Sequence, residues 1–232
     1  MYKTNDLLKY MSERYQQEQT KNKQPGPVIT VSREYGCPAK RIVKILAAEL
    51  TEEHRKKGKD VEWKWITKEI LFEAAKELEM DPTNIRYVFD YKKKGLIDDI
   101  LSAHMNKYYK SDRKIRNTIA KVIRSLSING HVIIIGRGGV AIAKDIPKSL
   151  HINLEAPLEW RTLRVSEKNS MSLEDARKFT IDIDRKRKEF REYFEGKNTD
   201  YTRFDVCLNC MTLSEEEIAH TIVEMAKLRK LI

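Results

Sequence analysis

The chain has 232 residues, 41% apolar and 34% charged, enough for one sizeable domain that buries its own core, and no apolar run approaches the length that crosses a membrane. A formal net charge of +10 calls for an anionic partner, whether nucleotide, nucleic acid or another phosphorylated ligand. Three cysteines, an odd number, do not make a disulfide framework, and with no signal-peptide pattern at the start the expected compartment is the cytoplasm.

Residues 1–26 are polar and rich in Gln and Lys, and run into Pro25-Gly26-Pro27. They read as an extension, an appended helix or a loose arm, with Leu7, Leu8 and Met11 as a weak docking stripe. The β-branched run Val28 to Val31 then predicts a strand, a polar turn holds Gly36 and Pro38, and Ile42, Ile45, Leu46 and Leu50 share one face of a helix. A strand feeding a tight turn into a helix N-terminus aims unpaired N–H groups and the positive end of the helix dipole at one point, which favours an anion. The turn compares with the phosphate loop G-x-x-x-x-G-K-[ST] but carries none of its signature residues, so a purely structural turn with a solvated Lys40-Arg41 pair reads equally well.

A charged loop from Glu52 to Asp60 precedes Val61 to Ile66, which alternates like a short strand. Thr67 is placed to cap a helix with the stripe Ile70, Leu71, Ala74, Ala75 and Leu78. Asp81-Pro82 opens a turn, and helical spacing returns at Leu96, Ile97, Ile100, Leu101 and Met105 and again at Ile115, Ile119, Val122, Ile123 and Leu126. Asn129-Gly130 ends this mainly helical stretch, 67–128. The apolar run His131 to Ile135 predicts an inner strand of a parallel sheet, leading into Gly136-Arg137-Gly138-Gly139, a second loop expected beside the first.

A short helix follows from Val140, then a strand over Leu150 to Leu154 and a helix from Pro157 that carries Arg161 and Arg164. A helix from Ser172 leads into the basic cluster Arg185-Lys-Arg-Lys188 with Arg191, and into Phe190, Tyr193 and Phe194. The cluster alone reads equally as a solvated helix face. After a loop at Gly196 to Asp200 come a last strand, Phe204 to Leu208, and a helix capped by Ser214 with Glu217. This alternation predicts a three-layer α/β/α fold around a central parallel sheet.

Cys207 and Cys210 have the spacing of half a metal site or a redox pair, but with one further thiol and no adjacent His they read as structural, with Cys207 in a buried strand. No metal site is expected from the histidines 54, 104, 131, 151 and 220, which have no ligand spacing. Trp63, Trp65, Tyr108 and Tyr109 read as packing residues, so nucleic acid is not the favoured partner.

Five stretches in order resemble the cytidylate kinase-like proteins, relatives of bacterial CMP kinase. They are I-T-V-S-R-E-Y-G at Ile29 to Gly36, V-I-I-I-G-R-G-G at Val132 to Gly139, A-P-L-E-W-R-T-L-R at Ala156 to Arg164, the basic and aromatic run Asp184 to Gly196, and F-D-V-C-L-N at Phe204 to Asn209. The resemblance implies a P-loop nucleoside monophosphate kinase fold over 27–232, with a helical nucleotide-binding lobe at 67–128 and a lid at 170–203. It implies a kinase using ATP and Mg2+ on CMP or dCMP, or a non-catalytic relative that binds a nucleotide or another phosphorylated small molecule, with a homodimer as the expected assembly.

By position, Tyr35, Gly36, Cys37, Pro38, Ala39, Lys40 and Arg41 would cradle the donor phosphates. Gly136, Arg137 and Gly138 would meet the acceptor phosphate, Arg161 and Arg164 would stand at the base of the lid, and Arg185, Arg187 and Arg191 would close from it. Lys40, Arg137, Arg185 and Arg187 form the implied catalytic set. Phosphoryl transfer needs positioning and charge neutralisation, which guanidinium forks supply by meeting two phosphate oxygens at once. The chain departs from the CMP kinase pattern at Gly36-Cys-Pro-Ala-Lys40, where the family often reads G-S-G-G-R, and at Ile135, where CMP kinase carries Asp.

Overall fold

The computed structural model describes residues 9, 25–82, 112–196 and 201–232. The expected Leu7, Leu8 and Met11 stripe, the helix through Leu96 to Met105, Tyr108 and Tyr109, and most of the loop after Gly196 lie outside them. The chain divides into two compact units, one of Lys23–Thr67 with Ser127–Ile232 and the other of Met1–Asn22 with Lys68–Leu126.

The first unit is built on β1 (Val28–Arg33), which pairs in parallel with both β3 (Val132–Ile135) and β4 (Ser149–Glu155). β2 (Lys64–Ile66) adds to β3 and β5 (Val206–Asn209) to β4, giving a five-stranded all-parallel sheet of order β2-β3-β1-β4-β5. Strands in the middle of such a sheet are apolar on both faces because helices cover both. On one face Ile29, Val31, Ile133, Ile135, Leu150, Ile152 and Leu154 meet α1 (Ala39–Lys56) and the last helix, which pack together. On the other, α4 (Gly139–Ile142) crosses β1 so closely that a Cβ on Gly139 would stand 3.0 Å from Ile134 Cγ2 and 3.5 Å from Thr30 Cγ2. The result is a three-layer α/β/α arrangement.

α5 (Leu158–Asn169) and α6 (Leu173–Glu195) pack on each other, and Ser172 caps α6 by accepting the Asp175 N–H. The last helix, α7 (Glu215–Leu228), opens with the expected capping box of Ser214 and Glu217. Gly130 has φ +77°, and its Cα would lie 2.7 Å from a Cβ on Gly26, so both positions need glycine for the strand to enter beside the end of the preceding helix.

In the other unit, α2 (Ile70–Glu77) and the part of α3 (Asp112–Asn129) up to Leu126 bury Ile70, Leu71, Ala74 and Ala75, and Ile115, Ile119, Val122, Ile123 and Leu126, at helical spacing. Three local expectations are corrected. The strand begins at Lys64 rather than Val61, because Trp63 turns into an aromatic cluster with His54 and His131. Thr67 does not cap α2, whose N-cap is Glu69 with no side-chain cap bond. Cys207 is exposed, because β5 is an edge strand. Among the described residues no helix is long and apolar enough to cross a membrane.

The buried histidines make stability depend on pH. His54 is 3% exposed, its two ring nitrogens have no hydrogen-bond partner among the described residues, and burial, aided by Lys59 and Lys57, pushes its pKa down. Burial does the same to His151 against the pull of Asp205, with Arg229 adding to the fall. The unfolded chain therefore takes up protons at higher pH than the folded one. Stability is complete above about pH 6.5 and falls as the pH drops below that value towards the folded pKa values. Denaturant titrations from pH 8 to pH 5 should show this loss, and His54→Leu should flatten the curve.

Candidate functional site

The turn between β1 and α1 is shaped by Gly36, whose φ is +102°. A Cβ there would come within 2.9 Å of Arg161 Cβ and 3.1 Å of the Arg161 carbonyl oxygen, so the turn closes over α5 only with glycine at this place. Most of the turn's N–H groups are spent within the protein. Tyr35 N–H donates to Asp184 Oδ1 (2.7 Å), Cys37 N–H to the Glu34 carbonyl (3.3 Å) and Ala39 N–H to the Cys37 carbonyl (2.9 Å). Pro38 has no N–H. The N–H groups of Gly36 and Lys40 are left without an acceptor among the described residues.

Arg161, 6% exposed, clamps this turn from beneath. Its Nε donates to the Ala156 carbonyl (2.8 Å) and lies 3.2 Å from Glu34 Oε2, while Nη1 donates to the Tyr35 carbonyl (3.1 Å) and to Asp184 Oδ2 (2.6 Å). Glu34 Oε2 also accepts the Ala156 N–H at 3.0 Å. Burial raises the Glu34 pKa, opposed by that N–H and by Arg161. From α6, Arg187 donates to the Arg33 carbonyl (3.0 Å) and covers the Tyr35 ring at 5.2 Å. The Tyr35 ring in turn meets Phe179 edge-on at 5.4 Å.

Above the turn, at the carboxyl end of the sheet, opens a cleft of about 660 Å³. Its lining includes Tyr35 to Arg41, with Arg33, Arg164, Lys168 and Arg187 adding positive charge against Glu34 and Glu167. Arg164 stacks over Trp160 at 4.6 Å, and its Nε is buried with no acceptor among the described residues. Lys40 is exposed at the mouth, and Arg41 pairs with Glu215.

The other expected residues stand elsewhere. Gly136 lies beside the turn, its N–H donating to the Val31 carbonyl (3.0 Å), but Arg137 does not line this cleft. Gly138 packs under Phe190 and Phe194. Arg185 is exposed and paired with Asp182 (2.6 Å) and Glu189 (2.5 Å) on the outer side of α6. Arg191 is half-buried, and burial, with Arg203 and Arg187 nearby, lowers its pKa.

Glu34 and Asp184 hold the turn at this site and were not singled out in the sequence. A signal for Asp184 existed: Thr180, Asp184, Arg187 and Arg191 recur at spacings of four and three along α6, one helix face, whereas Arg185 falls off it. A magnesium ion held by the protein does not fit the residues present. Lys40 and Arg41 occupy the start of α1, Ile135 supplies no carboxylate, and the Glu34 carboxylate is engaged by Arg161 and Ala156. Among the described residues no three His, Cys, Asp or Glu side chains are grouped to hold a metal.

The all-parallel sheet of order β2-β3-β1-β4-β5, with a strand-turn-helix at its central strand, is a three-layer α/β/α fold whose turn lies at the carboxyl end of that strand. Residues 28–212 match the cytidylate kinase-like family, and the chain belongs to that family. Among solved structures it is similar to an uncharacterized protein from Eubacterium ventriosum ATCC 27560, at 19% identity and TM-score 0.56, over 89% of this chain and 99% of that one. It is also similar to shikimate kinase from Bacteroides thetaiotaomicron (11% identity, TM-score 0.44, 87% and 98% of the two chains). Dephospho-CoA kinase from Campylobacter jejuni gives 15% identity and TM-score 0.38 over 87% and 97%. No curated protein matches the chain.

Proposed function

We propose that the cleft takes the phosphates of a nucleotide and that the protein transfers the γ-phosphoryl group of ATP to a nucleoside monophosphate, CMP or dCMP. The observation that carries this reading is the cleft itself, in which Arg33, Lys40, Arg41, Arg164, Lys168 and Arg187 surround the turn at a helix N-terminus against two carboxylates. Lys40 and Arg164 would meet phosphate oxygens, helped by the N–H groups of Gly36 and Lys40. Arg187 would hold α6 over them, and Arg161 would position the turn without touching the ligand. Arg137 and Arg191, on the neighbouring loop and on α6, are the arginines proposed for the acceptor phosphate, with Arg185 joining only if α6 turns.

A second reading, nucleotide recognition without transfer, is favoured by the use of the Tyr35, Cys37 and Ala39 N–H groups inside the protein. An ADP-release assay with ATP and CMP, with and without magnesium, separates the two. If transfer occurs, Lys40→Ala should lower kcat about 100-fold, the scale of losing one donor that stabilises transition-state charge. If no ADP is released while a nucleotide still binds, the same variant should weaken affinity alone and the recognition reading stands.

A further inference from the structure

Cys37 sits in the turn and lines the cleft, and it packs against the core cluster that contains the buried Cys210. The two strand ends bring them together. Glu34 N–H donates to the Leu154 carbonyl (2.9 Å) and Cys210 N–H to the Glu155 carbonyl (2.8 Å), so the segments after β1 and β5 flank the same end of β4. The two thiols are neighbours there and act on one another's titration. Cys207 is not part of this pair. It is exposed, three residues before Cys210 and on the strand's other side, with Asn153 as its polar partner.

We propose that Cys37 and Cys210 are a reversible redox site, closed to a disulfide by a peroxide, which ties the phosphate turn to the end of β5. The Cys37 hydrogen bond and the nearby Arg164 lower the Cys210 pKa against its burial, whereas Cys37 is pushed up by the same hydrogen bond and by burial. Cys210, with Arg164 close by, is favoured as the attacking thiolate. It breaks the peroxide O–O bond, gives a sulfenic acid and releases hydroxide, which takes up the thiol's own proton as water. The Cys37 sulfur then attacks that sulfur, the S–S bond forms, the S–O bond breaks, and the second oxygen leaves as water with the Cys37 proton. The pair loses two electrons and two protons, and the peroxide gains them. With Cys37 adjacent to Gly36, the new bond fixes the segment whose free N–H groups face the cleft.

The test treats the full-length protein with hydrogen peroxide near equimolar, counts free thiols, maps peptides without reduction, and titrates ATP into both forms. The expected result is loss of two thiols of three, a Cys37–Cys210 cross-link reversed by dithiothreitol, and an ATP affinity that differs at least fivefold between the forms. Cys207→Ser should keep the cross-link, and Cys210→Ser should abolish it. A cross-link through Cys207, three unchanged thiols, only irreversible oxidation, or an unchanged ATP affinity would overturn the proposal. Failure of both forms to bind ATP would sink the nucleotide reading and the affinity effect, and leave the cross-link to be judged on the peptide map.

Discussion

Replacing Arg161 by Ala is expected to cost about 3 kcal/mol of stability, because one guanidinium serves two carboxylates and two carbonyls. The Glu34 and Asp184 side chains keep 32% and 24% exposure, so water recovers part of the loss and the cost falls at the low end for a broken buried pair. For a chain of this length that amounts to a fall in Tm of roughly 6–12 °C. Arg161→Lys should recover less than half, since an ammonium cannot reach the Ala156 carbonyl, Tyr35 carbonyl and Asp184 in one fork. Thermal melts of both variants check this. A Tm within about 2 °C of the parent for Arg161→Ala would mean that the clamp contributes little.

Gly36→Ala should have the larger effect on binding. Its φ of +102° strains any side chain, and the new Cβ meets Arg161 at 2.9 Å, so the turn must open or Arg161 must move. A strained backbone of this kind costs about 1–3 kcal/mol. The displaced turn should also lower nucleotide affinity at least tenfold. Gly58→Ala is the matched control, with φ +70° and nothing within 4 Å of the new Cβ, so it carries strain without a clash. Equal nucleotide affinity in the two variants, measured by calorimetry, would separate the Gly36 turn from the ligand.

What could be read in the chain was local. The β-branched runs at Val28 and Val132, the glycine stop after Asn129 and the Ser214 capping box each encode their structure within a few residues, and all formed. The family followed from five short stretches in order. What could not be read were partnerships across the chain. Tyr35 and Asp184 are 149 positions apart, so nothing local tells that a carboxylate from α6 would take a backbone donor of the turn. Arg161 was expected at the base of the lid, and its hold on the turn is visible only once Glu34 and Ala156 stand beside it. The Cys207 error had the same origin, since edge or inner position in a sheet is set by strand order rather than by the strand's own residues.

The cleft is tested most directly by calorimetric titration of the protein with ATP, with and without magnesium, and separately with CMP, compared between parent and Arg164→Ala. Arg164 reaches the cleft without joining the clamp that holds the turn, so its loss should spare the fold. One ATP site per chain is expected, at least tenfold weaker in the variant at unchanged Tm. No binding of either nucleotide at millimolar concentration, or an ATP affinity unaffected by the loss of Arg164, would contradict the cleft as a phosphate site.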